Sequence, residues 1–143
     1  MSYKRLNGDL TDLIELRNAL HELAFNDPQY DELEDELHDF EDTFNHRYQG
    51  LMEPILIRIH RKLAPDIPHL IPTAYVGNHY TYVAEIDTYE TDGTSGVLLE
   101  NEKGESFRLT FVPNPTRLLL TDSKDIQVVW NENQPDAVMV PQP

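Results

Sequence analysis

Apolar positions change their spacing once along this chain, near Pro65. Before it they recur at steps of three and four, the period of a helix; after it they alternate, the period of a strand. Asp9 has the chemistry of a helix N-cap, and Leu10, Leu13, Ile14, Leu20, Leu23 and Ala24 follow at helical spacing. This helix is expected to end around Phe25, ahead of the Asn26-Asp27-Pro28 breaker. Asp27 then caps a second helix with Pro28 at its first position, where the missing N–H costs nothing.

The second helix is expected over residues 28–63. Tyr30, Leu33, Leu37, Phe40, Phe44, Tyr48, Leu51 and Ile55 fall on one stripe about 80° wide at ~100° per residue. Beyond Gly50 the stripe moves, and Met52, Ile55, Leu56, Ile59 and Leu63 centre roughly 60° further round. Pro54 accounts for the change, because its ring clashes with the carbonyl four residues earlier, at Gly50. The reading is therefore one long helix kinked at Pro54. The β-branched run within 55–59 leaves a strand there as the alternative.

Residues 64–78 carry Pro65, Pro68 and Pro72 and read as an extended connector. Tyr80, Tyr82, Ala84 and Ile86 then share one face of a strand, and Thr91 to Gly96 read as a turn. Val97 to Asn101 and Ser106 to Val112 form a hairpin about Asn101-Glu102-Lys103-Gly104, a sequence suited to a type I turn with a bulge. That turn sets Leu99 opposite Phe107 and Val97 opposite Leu109, so turn chemistry and apolar pattern agree. Arg117 to Thr121 and Ile126 to Trp130 make a further hairpin, and residues 131–143 read as a loose tail in which Ala137 to Val140 could pair briefly.

The chain is thus expected to be a single α+β domain over 1–143. An antiparallel helical hairpin (about 9–63) packs on an antiparallel β-meander of four to five strands (about 79–130), with the C-terminal half of the long helix against the sheet.

Charge narrows the class of partner. Eleven Lys and Arg against 26 Asp and Glu leave a formal −15, which argues against nucleic acid or anionic membrane as a partner. The chain has no cysteine, so thiolate metal sites, disulfides and Cys nucleophiles are excluded. Met1 to Gly8 lack the apolar core of a signal peptide, and apolar runs are short; a soluble, cytoplasmic protein is expected.

The acids are unevenly placed. Between Asn18 and His46 stand ten acids and no Lys or Arg; from Arg47 to Lys62, Arg47, Arg58, Arg61 and Lys62 face Glu53 alone. This gradient complements the helix dipole. Yet Asp31, Asp35 and Asp39 are like charges one turn apart, and Asp is a poorer helix former than Glu. Asp31, Asp35, Asp39 and Asp42 are therefore the candidate partner-binding residues. Asp35, His38, Asp42 and His46 lie within about 80° on the same ridge, where pairs one turn apart can share a divalent ion; they are the candidate metal ligands. His21, His60, His69 and His79 show no ligand spacing among themselves.

Sequence motifs for catalysis or cofactor binding are absent. Asp92-Gly93-Thr94-Ser95-Gly96 suits a turn, and Ser95 lacks the flanks of a nucleophile elbow. The leading expectation is a non-enzymatic protein-binding module, an adaptor or inhibitor whose acidic helix face meets a basic protein. Two alternatives stand beside it. One is a small-ligand or divalent-metal enzyme using carboxylate and His groups in a helix–sheet crevice; the other is a self-associating structural protein, a homodimer through the long helix.

Overall fold

The computed structural model describes residues 3–91 and 95–140. Helix α1 spans Leu6–Glu22 and α2 spans Tyr30–Leu63. Six strands follow: β1 Tyr80–Val83, β2 Thr88–Thr91, β3 Val97–Glu100, β4 Ser106–Val112, β5 Arg117–Thr121 and β6 Ile126–Asn131. Strands β3-β4-β5-β6 form an antiparallel meander, and β1 and β2 form a separate two-stranded ribbon. The two helices pack on the meander, in the α+β arrangement expected. One apolar core joins Leu10, Leu13 and Ile14 of α1, Phe44, Met52 and Ile59 of α2, and Leu99, Phe111, Leu118 and Trp130 of the sheet.

Helix α2 runs without interruption through Pro54, so residues 55–59 are helical and the strand alternative falls. Its buried side follows the shifted stripe: Leu37, Phe44 and Tyr48 before Pro54, then Met52, Ile55, Leu56, Ile59 and Leu63 around and beyond it. The helix starts two residues later than expected: its N-cap is Gln29, so Pro28 lies outside it and Asp27 is not its cap but accepts the Gln29 N–H on Oδ1 at 2.8 Å in the preceding turn.

Asp9 has a different job from the one its position suggests. α1 begins at Leu6, so Asp9 lies in its first turn and caps nothing. Its Oδ2 accepts hydrogen bonds from the Tyr48 hydroxyl at 2.5 Å and from an Arg47 guanidinium nitrogen at 2.6 Å. The carboxylate thus ties the two helices together. Burial, with the hydrogen bond to Asp9 as a second cause, pushes the Tyr48 hydroxyl well above its ordinary pKa.

The β3–β4 hairpin forms in the expected register, with Val97 opposite Leu109 and Leu99 opposite Phe107. Asn101 organises the first turn, its Oδ1 accepting the N–H groups of Lys103 and Glu105, both at 3.0 Å. Gly104 there takes φ +79°, a conformation glycine adopts at no steric cost. Asp122 does the same for the β5–β6 turn, accepting from Lys124 and Asp125 at 2.7 and 2.8 Å. Those two backbone bonds hold its carboxyl below the ordinary range.

Three expectations are corrected. The strand containing Tyr80 and Tyr82 ends at Val83; Ala84–Ile86 is a 3-10 turn, and Asp87 at φ +48° reverses the chain into β2. Tyr82 and Ile86 are consequently exposed, and β2 was not anticipated. The connector contains a 3-10 turn, Pro72–Tyr75, instead of being extended throughout. The tail is docked as far as it is described: Trp130 Nε1–H donates to the Pro135 carbonyl at 3.0 Å, Met139 N–H pairs with the Val129 carbonyl at 2.9 Å, and Val140 is buried. Of the expected turn over Thr91–Gly96, residues 92–94 lie outside the described residues, as do tail residues 141–143.

Candidate functional site

Asp31, Asp35, Asp39 and Asp42 all stand exposed along the outer side of α2, as the helical period requires. Glu32 and Glu36 extend the same charge, and they too are exposed. Among the described residues, the ion pairs of the hairpin involve other acids: Arg17 binds Glu41 at 2.6 Å and Arg47 binds Asp9 at 2.6 Å. Among the described residues, none of the ion pairs involves the four aspartates of the ridge.

Arg17 is a cation that points inward. Its guanidinium is largely covered and donates to the Val76, Gly77 and Thr73 carbonyls at 2.6, 3.1 and 3.2 Å as well as to Glu41. Three carbonyls and a carboxylate take four of its five N–H donors, at the seam and not on the ridge. Between the helices, beside Arg17, lies an open cleft of about 320 Å³ walled by Leu20, Tyr30 and Leu37, with His21, Glu41 and Asn78 at its polar side. The Phe25 side chain, 86% exposed, stacks on Tyr30 with ring centres 5.0 Å apart at one end of the hairpin. An apolar cleft wall and a row of exposed carboxylates therefore share the hairpin.

The proposed metal ligands are placed less favourably. His38 and His46 are exposed on the ridge with Asp35 and Asp42. Among the described residues no three His, Asp or Glu side chains gather closely enough to hold an ion, on the ridge or elsewhere. The four ridge candidates share a side of one helix, and no second element brings further donors to them.

Asparagines were missed, and they build the scaffold of the site. Asn18 on α1 accepts the Tyr80 N–H and donates to the Tyr80 carbonyl, both at 2.9 Å, replacing a neighbouring strand for that residue. Asn45 on α2 grips Thr73 through its N–H and hydroxyl at 3.1 and 2.9 Å. Asn7 on α1 accepts the Asn114 N–H at 2.7 Å and donates to the Asn114 side chain at 2.8 Å. Each amide offers a donor and an acceptor at one tip, the pairing a backbone segment needs.

Histidine contacts were missed as well. The imidazoles of His21, in the last turn of α1, and His79, just before β1, lie 4.8 Å apart between ring centres and tilt by 37°. His60 is buried, with Nε2 2.7 Å from the Tyr75 hydroxyl and Nδ1 3.0 Å from the Ile67 carbonyl. Among the described residues, no helix is long and apolar enough to cross a membrane. Comparison with protein-family models, with curated proteins and with solved structures finds no match.

Proposed function

We propose that this chain is a non-enzymatic, cytoplasmic protein-binding module whose helical hairpin takes a basic partner. The observation that carries the reading is that Arg17 and Arg47 neutralise Glu41 and Asp9 at the helix–helix seam, while Asp31, Asp35, Asp39 and Asp42 face solvent and, among the described residues, take part in no ion pair. Like charges one helical turn apart oppose folding slightly, so a use outside the fold accounts for their presence better than stability does. The cleft beside Tyr30 and Leu37 adds apolar area, and aromatic area is what anchors an interface otherwise dominated by charge. The partner in this reading is a basic amphipathic segment, its cations along the ridge and one apolar side chain in the cleft.

The test uses a defined probe, a fluorescent amphipathic peptide of Lys and Leu, titrated by anisotropy. Asp35→Asn with Asp39→Asn should weaken binding about tenfold, with the loss shrinking as salt rises. Glu85→Asn with Glu90→Asn removes the same charge from exposed positions elsewhere. Equal weakening by both pairs would reduce the effect to net charge and overturn the reading.

A further inference from the structure

We infer that His21 and His79 form a two-histidine site for a divalent transition-metal ion, beside the cleft that His21 lines. The two residues are 58 positions apart and meet only because the ribbon folds back on α1. Their separation has the size that shared coordination demands. An ion ~2.0–2.1 Å from an imidazole nitrogen stands about 3.2 Å from the ring centre, so two rings on one ion have centres about 4.5 Å apart at 90° and about 5.2 Å apart at the tetrahedral angle. The observed 4.8 Å lies between these limits. His21 is exposed and His79 half-exposed, so an ion from solvent can reach both rings.

The backbone carrying both rings is held in place. Asn18, three residues before His21, binds both backbone groups of Tyr80, the residue after His79. Arg17 holds the Val76 and Gly77 carbonyls on the other side of His79. Such bracing is what keeps a ligand pair at coordinating distance without the ion. Among the described residues no third His, Asp or Glu completes the set, so water or a donor from a bound molecule fills the other positions, reached through the cleft that His21 lines. Imidazole nitrogen selects zinc, copper or nickel over the oxygen-seeking magnesium and calcium.

Zn²⁺ alone, titrated into the intact chain at pH 7.5 by calorimetry, is the probe. One equivalent should bind, and His21→Ala and His79→Ala should each weaken it by about tenfold or more. His38→Ala and His46→Ala should leave it unchanged. Imidazole Cε1–H resonances followed by NMR in the unmutated protein give a second readout independent of any variant's folding, and His21 and His79 should shift first and together. Binding that survives both His21→Ala and His79→Ala, shifts that fall instead on His38 and His46, or no binding at all would overturn the site and leave the pair as a stacking contact.

Discussion

In the neutral imidazole of His60 the Tyr75 hydroxyl donates to Nε2 across 2.7 Å, inside a chain of hydrogen bonds that fixes the tautomer of the ring. A carbonyl can only accept, so Nδ1 carries the proton given to Ile67 at 3.0 Å. Nε2 is then the acceptor for Tyr75, whose oxygen in turn accepts the Leu70 N–H at 3.1 Å. The neutral imidazole is satisfied at both nitrogens; a second proton would leave Tyr75 without its acceptor. Burial lowers the His60 pKa, opposed by the Ile67 bond, and also raises the Tyr75 hydroxyl to about 12.

A pH dependence follows from that lowered pKa. Below about 6.5 the unfolded chain protonates this histidine while the native one resists, so the unfolded state binds more protons and acid destabilises the fold. His60 should cost no stability above pH 6.5; the loss should grow as pH falls from there toward the native pKa, then level off. Urea unfolding at pH 7.5, 6.5 and 5.5 checks it, with a shallower dependence expected in His60→Gln. Parallel slopes in the two proteins would assign the effect to other histidines.

The seam carboxylate should matter most among the acids. Asp9→Ala strips the buried Tyr48 hydroxyl of its acceptor and Arg47 of its partner. A loss of about 1–3 kcal/mol is expected, since a buried group left unpaired carries its full desolvation cost. Tyr48→Phe in the Asp9→Ala background should recover part of it, and equilibrium denaturation of the four proteins gives the coupling directly.

Pro54 is exposed inside α2, where it supplies no N–H for the Gly50 carbonyl. Pro54→Ala restores that donor, and the expected outcome is unchanged or greater stability. A loss above about 2 kcal/mol in chemical denaturation would mean that the proline fits its local backbone better than a regular helical turn does.

On the ridge, Asp35→Asn with Asp39→Asn should leave stability intact or raise it by a few tenths of a kcal/mol, as i,i+4 repulsion is relieved. Thermal melts at low and high salt check this, because a gain from relieved repulsion shrinks when charges are screened. Destabilisation would show that the aspartates serve the fold.

Local chemistry by itself determined most elements of this protein. Helical period and the step at Pro54 located α2 and its turning buried side; Asn101 and Gly104 located a hairpin and, through it, the register of Leu99 on Phe107. The exposure of Asp31, Asp35, Asp39 and Asp42 was legible too, because a helix places its faces by spacing alone. What spacing cannot carry is which distant polar groups meet. Asp9 looked like a cap and became the acceptor for Tyr48 and Arg47; Asn18 carried no visible signal and clamps Tyr80; His21 and His79 looked unrelated and lie ring against ring. Those pairings were decided by tertiary structure, since each depends on the packing of α1 against α2 and the ribbon, and a side chain's partner is set by where the chain returns rather than by its neighbours in sequence.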